Sequence, residues 1–135
     1  MENIIQFFKK DHFATSSGIE LLNVSPGYAK ARMKIEEKHL NALNAVQGGA
    51  IFTLADLAFA AASNAHGNAA VGINVNISYV KAATKGTLTA EAKETSINPK
   101  IATYTVNITD DEGDLVAIFQ GMVYRKKITL DFSDI

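Results

Sequence analysis

Residues 48–65 constrain the fold of this chain more than any other segment, because they form a predicted helix that has no polar side. The segment is rich in Ala and Leu, and His66-Gly67 supplies a C-terminal stop signal. Apolar side chains lie around nearly the whole circumference, at Ile51, Phe52, Leu54, Ala55, Leu57, Ala58 and Phe59. A helix that is apolar all round is typical of a protein interior. The rest of the chain must therefore supply a layer that covers it.

The remaining segments have the patterns of strands that could form this layer. Residues 28–35 alternate between apolar and charged side chains, which is typical of a half-solvated strand. Further strands are predicted at residues 17–24, 70–80, 86–97, 102–108 and 115–124. A short docking helix is predicted within residues 3–10. One central helix followed by an antiparallel meander predicts an α+β domain in which a curved sheet wraps around the helix.

The length and composition predict one soluble domain. The chain has 135 residues, so we expect a single domain over residues 1–135, with an N-terminal helix within residues 1–12 and a C-terminal tail at residues 126–135. The absence of cysteine excludes a disulfide framework and a Cys nucleophile, and it fits a reducing compartment. The first residues lack the basic start and long apolar run of a signal peptide. We therefore expect a cytoplasmic protein.

Charge and hydropathy argue against nucleic acids and membranes as partners. The formal net charge is -1, so no basic field draws the chain to nucleic acid or to an anionic surface. The longest apolar stretch, residues 50–62, is interrupted by Thr53 and Asp56 and is too short to span a bilayer.

Several common kinds of site are absent from the sequence. It contains no Gly-x-Ser-x-Gly elbow, no Walker A motif and no dinucleotide fingerprint. His12, His39 and His66 lie far apart and lack ligand-type spacing. No metal site is predicted, therefore, and no resident cofactor is expected.

Asp56 is the first candidate functional residue, because it is the only charge in the predicted helix. Apolar residues flank it on both sides of its own turn, so an exposed position does not fit the pattern well. A carboxylate without a partner in an apolar site costs several kcal/mol or has a raised pKa. Such carboxylates are found at functional sites more often than elsewhere.

The helix start, Gln47-Gly48-Gly49, is the second candidate. Free backbone N–H groups at a helix N-terminus can polarise a carbonyl oxygen, and glycine lets a substrate approach the backbone. Gly48 and Asp56 are eight residues apart, which is about 12 Å along a helix. One carbonyl group cannot contact both, so a joint role requires Asp56 to come from a second copy of the chain.

The residues around this helix resemble a family signature. The match is carried by His39-x-Asn41-x-x-Asn44-x-x-Gln47-Gly48-Gly49-Ala50-Ile51-Phe52-Thr53-Leu54-Ala55-Asp56. It continues through Ala58-Phe59-Ala60 and Val75-Asn76-Ile77-Ser78-Tyr79, and the strand pattern agrees over residues 15–125. This stretch is similar to the hot-dog thioesterases of the phenylacetate-pathway (PaaI-like) type. The resemblance implies a hot-dog fold, in which an antiparallel sheet wraps around one long helix, and acyl-CoA thioesterase activity.

The resemblance also implies roles for three residues and an assembly. Asp56 matches the acidic residue that attacks the thioester carbonyl or activates water. Gly48 matches the backbone N–H that binds the thioester oxygen, and Asn41 matches a polar residue that positions the water or the carbonyl. Family members pair two protomers into one continuous sheet. We therefore expect a homodimer, or a homotetramer made of two dimers, in which Asp56 faces the other two residues across the dimer.

Further residues are predicted to bind the acyl-CoA substrate. They are Gln47 and Gly49 at the helix start, Phe52, Phe59 and Ala60 against the acyl group, Asn74 on the following strand, and Lys81 near the CoA phosphates. Gln47 stands where the family commonly has His, and Asn44 where it commonly has Gly. Gln can support the loop through hydrogen bonds, but it cannot act as an acid or a base near neutral pH. Coenzyme A is part of the substrate here, so it is not a separate cofactor.

Other readings stay open at the level of the sequence. One is a hot-dog hydratase or dehydratase, which typically needs a His paired with a carboxylate. A second is a non-catalytic acyl-CoA binding protein. A third is an unrelated cone-shaped α+β fold of the ketosteroid isomerase type, which usually opens with several helices. The acyl group and the role of Asp56 as nucleophile or as base are open as well.

Overall fold

The computed structural model describes residues 1–133 and has α+β architecture. The helices are α1 (Glu2–Phe8), α2 (His12–Ser16) and α3 (Gly48–Asn64), with a 3-10 turn at Glu37–His39. The strands are β1 (Ile19–Ser25), β2 (Tyr28–Lys34), β3 (Asn68–Tyr79), β4 (Thr87–Ile97), β5 (Ile101–Thr109) and β6 (Leu115–Thr129). The predicted central helix and wrapped sheet are confirmed. α2 was not predicted, and β6 continues into the segment assigned to a tail.

All six strands form one antiparallel sheet in the order β1-β2-β4-β5-β6-β3. The predicted meander is right for β4, β5 and β6. It is wrong for β3, which pairs with β6 at the far edge of the sheet. Hydrophobic alternation reports which face of a strand is buried but not which strand lies beside it, so this crossover could not be found from the pattern.

α3 packs against every strand of the sheet, and small side chains line the contact. Ala29 and Ala31 on β2, and Ala90 and Ala92 on β4, face the helix and are fully buried. α3 presents small residues in return, including Ala55, Ala58 and Ala62. Because few long side chains stand between the two layers, the sheet can curve closely around the helix backbone.

Phe59 packs between α3 and the sheet. Its ring lies 5.3 Å from the Phe119 ring and 5.7 Å from the Tyr104 ring, measured between centroids. Two strand glycines make room for it. A Cβ atom on Gly121 would lie 2.6 Å from the Phe59 ring, and one on Gly72 would lie 3.2 Å away. Neither contact could form without a shift of the ring or the strand.

A polar cluster closes the far end of α3. Glu94 Oε1 accepts a hydrogen bond from the Tyr104 hydroxyl at 2.8 Å and lies 2.7 Å from His66 Nε2. Burial, followed by the hydrogen bond to Glu94, raises the pKa of Tyr104. The β1–β2 turn joins the same end, since the Gly27 N–H donates to Ala62 O at 3.0 Å. The chain then turns back into β3.

We expect Gly121→Ala to lower the free energy of unfolding by about 1–3 kcal/mol, because the new methyl group would clash with the Phe59 ring. Urea denaturation measures this change. Gly72→Ala is the matched control, and its looser contact predicts a smaller loss. Equal losses for the two variants, or no loss for Gly121→Ala, would contradict this account of the contact.

Candidate active site

α3 has one incompletely covered side within a single chain. The residues along it are spaced by three or four positions and only partly covered: Gly49, Phe52, Thr53, Asp56, Ala60 and Asn64. We call this set the α3 stripe. The expectation of a helix buried on all sides therefore fails at the stripe, because an apolar pattern does not reveal whether the chain itself supplies the cover.

Asp56 lies in the middle of the α3 stripe and is partly buried. Its carboxylate accepts no hydrogen bond from residues 1–133. Burial raises the pKa of the Asp56 carboxyl, and the negative charge of Asp11 raises it further. A carboxylate with a raised pKa and no partner is a stronger base than an ordinary aspartate, and its lone pairs are available to accept a proton.

The start of α3 offers unused backbone donors. The N–H groups of Ala50 and Ile51 both point at the Gln47 carbonyl, at 2.9 and 3.3 Å. The Gly48 and Gly49 N–H groups donate to no acceptor in the described part of the chain. Gln47 does not cap the helix with its side chain. Instead that side chain crosses Gly49, where a Cβ atom would lie 2.7 Å from Gln47 Oε1. The two N–H groups can therefore bind a carbonyl oxygen or an oxyanion.

Tyr79 anchors this helix start and was missed by the sequence analysis. Its hydroxyl donates to the Gly48 carbonyl at 2.9 Å, and a Cβ atom on Gly48 would lie 3.1 Å from its ring. Gly48 therefore needs to be small beside Tyr79, whether or not a substrate binds there. The two residues are 31 positions apart in sequence, so no local pattern could have linked them.

Asn41, a predicted site residue, lines the same cavity as Gly48. Both residues line a cavity of about 420 Å³ together with Tyr79 and Lys81. The Asn41 side-chain oxygen accepts hydrogen bonds from the Leu43 and Ala45 N–H groups, at 2.9 and 3.2 Å. Asn41 thus shapes the loop before α3, and its amide nitrogen stays available for the cavity.

Lys81 reaches the same cavity, but its charge is already paired. Its ammonium group lies 2.7 Å from Asp110 Oδ2 and 2.7 Å from Asp114 Oδ2. These hydrogen bonds raise the pKa of Lys81. A contact with a CoA phosphate would require Lys81 to leave two carboxylates.

The structure divides the remaining predicted binding residues into two groups. Phe52 and Ala60 lie on the α3 stripe one turn before and one turn after Asp56. Phe59 is 2% exposed and belongs to the core, so it does not reach the stripe. Asn74 faces the outer side of the sheet in a groove of about 520 Å³, away from α3. A register shift between Gly72 and Asn74 turns the strand at this point, which the sequence did not indicate.

His39, which is part of the matched signature, is a structural residue. It is 4% exposed, its Nδ1 accepts the Glu36 N–H at 2.9 Å, and its Nε2 lies 2.7 Å from Ser17 O. These contacts assign a neutral ring that carries its proton on Nε2. Within residues 1–133 no group of three His, Asp or Glu side chains could hold a metal ion. No helix in that range is long and apolar enough to cross a bilayer.

Gly48 and Asp56 do not meet within one chain. α3 runs unbroken from Gly48–Asn64, so the two residues are about 12 Å apart along its axis. The neighbouring β3 is the last strand of the sheet, and its outer edge has no partner strand among residues 1–133. β3 extends for 12 residues, Asn68–Tyr79, and most of them are exposed. A long open edge of this kind is suited to pairing with another strand.

The sequence of this chain matches a family model and several relatives. Residues 43–117 match the family model of the Thioesterase superfamily. A protein from Archaeoglobus fulgidus, whose name provisionally calls it an esterase, is 45% identical over 87% of this chain and 77% of its own length. The acyl-coenzyme A thioesterase PaaI of Escherichia coli is 31% identical over 92% of this chain and 89% of its own length.

Solved structures confirm the hot-dog fold. The Escherichia coli PaaI protein of the phenylacetic acid degradation operon superposes with a TM-score of 0.91 at 30% identity, covering 96% of this chain and 95% of that protein. A mutant of the phenylacetic acid degradation protein PaaI from Thermus thermophilus gives a TM-score of 0.82 at 33% identity, covering 86% of this chain and 100% of that protein.

We expect Tyr79→Phe to lower the free energy of unfolding by about 0.5–1 kcal/mol, because the Gly48 carbonyl loses its hydroxyl donor. Urea denaturation at fixed protein concentration measures this. Tyr124→Phe is the matched control: its side chain is similarly exposed, 44% against 49% for Tyr79, and its hydroxyl makes no hydrogen bond within residues 1–133. If the two variants behave alike, Tyr79 does not anchor the helix start.

We expect Asp56→Asn to raise the free energy of unfolding at pH 7. The raised pKa of Asp56 means that the folded state carries this charge at a cost that the unfolded state avoids. The gain should shrink as the pH falls through that raised pKa, and it should vanish below about 3.9, where the carboxyl is protonated in both states. Urea denaturation across this range tests the sign; a loss of stability at pH 7 would contradict it.

Proposed function

Because the chain belongs to the thioesterase superfamily, we propose that it hydrolyses acyl-CoA thioesters to a free acid and CoA in an active site that two subunits build together. The matched region includes both Gly48 and Asp56. A relative that aligns over 92% of this chain is named as an acyl-coenzyme A thioesterase. Coenzyme A is part of the substrate, and the proposed reaction needs no further cofactor.

The separation of Gly48 and Asp56 on one straight helix carries the proposal of a shared site. A thioester oxygen bound to the Gly48 N–H and a water held by Asp56 must lie within about 3 Å of their partners and of each other. The distance of about 12 Å along α3 is too long for that. A second chain that approaches from the open side of α3 can supply the missing carboxylate.

The free edge of β3 supports a two-fold arrangement that meets this requirement. β3 returns alongside α3, since its last residue, Tyr79, contacts the first helical residue, Gly48. Antiparallel pairing of two β3 edges would therefore set two α3 helices side by side in opposite directions. Each Gly48 lies level with the other chain's Asp56 when the two-fold axis passes level with Phe52, midway between positions 48 and 56. A dimer of this kind could pair again into a tetramer.

The chemistry follows from the charges at the site. The Gly48 N–H, with help from Gly49 and the positive end of the helix dipole, stabilises the negative charge that develops on the thioester oxygen. Asp56 of the partner subunit takes a proton from water as the water oxygen bonds to the carbonyl carbon. The C–S bond then breaks, and the proton passes to the departing CoA sulfur. Direct attack by Asp56, followed by hydrolysis of the anhydride, would give the same products.

The acyl group and the CoA moiety would contact different parts of the site. The acyl group would lie along the α3 stripe, where Phe52 and Ala60 flank Asp56. The phosphates need cations, and Lys81 is held by two aspartates. Lys85, Lys126 and Lys127 remain as exposed cations that could bind the phosphates.

A hydratase function is disfavoured by the state of His39. Both of its ring nitrogens are engaged with the backbone, and Gln47 occupies the position before the glycine pair. His39 is therefore not free to act as the second acid or base that a hydratase needs.

We expect Asp56→Asn to lower kcat by about 100-fold or more, because the amide cannot take a proton or attack the carbonyl. Thiol release from acetyl-CoA, octanoyl-CoA and phenylacetyl-CoA measures it. Glu20→Gln removes one negative charge from an exposed position on β1 and should leave kcat unchanged. If the wild-type protein binds these esters without releasing thiol, it is a binding protein and the proposed hydrolysis is wrong.

Mixing two inactive variants tests whether the site is shared. Gly48→Pro removes the proposed N–H donor and also crowds the Tyr79 ring, so it inactivates the half of the site that Gly48 supplies. The preceding Gln47 already has the extended conformation that proline requires, with φ -63 and ψ 138. A heterodimer of Gly48→Pro and Asp56→Asn chains contains one site with both groups intact. A refolded equimolar mixture should regain about one quarter of the wild-type activity. No recovery in a mixture shown to contain heterodimers would refute the shared site.

A further inference from the structure

The Tyr79 hydroxyl holds one particular peptide group at the start of α3. It donates to the Gly48 carbonyl at 2.9 Å, and the Tyr79 ring lies so close that a Cβ atom on Gly48 would be 3.1 Å from it. The carbonyl of Gly48 and the N–H of Gly49 belong to the same planar peptide group. A contact that fixes the direction of this carbonyl therefore fixes the direction of the Gly49 N–H as well.

The two unused N–H groups at this helix start are oriented by different contacts. The Gly48 N–H belongs to the peptide group of the Gln47 carbonyl, which accepts two N–H groups from the first turn of α3, at 2.9 and 3.3 Å. The Gly49 N–H belongs to the next peptide group, which Tyr79 contacts from outside the helix. A helical carbonyl also faces the N–H four residues on, and its second lone pair can receive the Tyr79 hydroxyl. Of the two donors, Gly49 is thus the one whose direction depends on Tyr79.

Tyr79 is itself fixed by the sheet and keeps its proton. It pairs with Ala117 on β6, and the following Val80 N–H donates to the Val116 carbonyl at 2.8 Å. Burial raises the pKa of the Tyr79 hydroxyl, so the hydroxyl stays protonated throughout the neutral range. Its single proton is directed at the Gly48 carbonyl, which leaves none to donate to a substrate. Any influence of this hydroxyl on a reaction must therefore pass through the peptide group that it holds.

We propose that Tyr79 is a positioning residue for thioester hydrolysis, which holds the peptide group between Gly48 and Gly49 so that the Gly49 N–H points at the developing oxyanion. The inference rests on the proposed function. N–H groups in the first turn of a helix point out of its start, so those of Gly48 and Gly49 can meet one oxygen. A donor that is already oriented stabilises the transition state without having to turn as charge develops. The hydrogen bond to the carbonyl also polarises the peptide group, which makes its N–H a stronger donor.

Tyr79→Phe tests this role, because it keeps the ring against Gly48 and removes only the hydroxyl. We expect kcat for the most active CoA ester of the panel to fall about 3- to 10-fold, since the Gly49 N–H is present but no longer held. Loss of a donor itself would cost about 100-fold or more. Affinity for the thioether analogue of that ester, in which a methylene group replaces the carbonyl, should stay unchanged in calorimetry because the analogue has no oxygen for the N–H to bind.

The matched control for both measurements is Tyr124→Phe, which removes a hydroxyl from a similarly exposed tyrosine and should alter neither value. A general loosening of the site would weaken binding of the thioether as well as lower kcat. An unchanged kcat in Tyr79→Phe, or a parallel loss of kcat and thioether affinity, would therefore overturn the positioning role.

An NMR signal from the same peptide group separates this proposal from the proposed function. Gly48-Gly49 is the only pair of consecutive glycines in the chain. Protein made by cell-free synthesis with glycine labelled with ¹³C at the carbonyl and with ¹⁵N therefore gives a single carbonyl-to-nitrogen correlation, without substrate. We expect this signal to move in Tyr79→Phe and to stay in place in Tyr124→Phe. If it does not move in Tyr79→Phe, the role of Tyr79 is wrong. If it moves but the wild-type protein hydrolyses no CoA ester, the proposed function is wrong and the contact of Tyr79 with the peptide group stands.

Discussion

The close approach of α3 to the sheet is the constraint on which the rest of the structure depends. Alanines on both layers allow the contact, and all six strands take part in it. The sheet curves around one side of the helix and leaves the other side, the α3 stripe, to α2 and to whatever binds there. The same contact that builds the core thus places a carboxylate and a pair of free N–H groups at the surface.

Much of the fold could be predicted from the sequence because its elements are strongly periodic. The bounds predicted for the apolar helix are nearly correct, and all six strands were predicted, residues 28–35 from clean alternation. The position of β3 at the far edge could not be predicted, because alternation carries no information on neighbours. The 5-residue α2 was also missed, since a helix of one turn and a half has too few residues for a period to emerge.

Site residues could be predicted where one residue interrupts a local sequence pattern. They could not be predicted where their role depends on contacts with residues far away in sequence. Asp56 is the only charge in an apolar helix, and the glycine pair marks the helix start, so both were found. Tyr79 contacts the helix start from β3, at a separation in sequence that no local pattern spans. Phe59 and Lys81 were predicted to bind substrate. In the structure Phe59 is buried in the core, and Lys81 forms salt bridges with two aspartates.

The fit of Phe59 over Gly72 and Gly121 has an evolutionary consequence. Gly121 is required by the Phe59 ring and not by its own backbone angles, because a Cβ atom there would lie 2.6 Å from the ring. A side chain at position 121 therefore fits only where the residue at position 59 has become smaller, whereas a small shift of the ring can make room at position 72. Positions 59 and 121 should consequently change together across lineages.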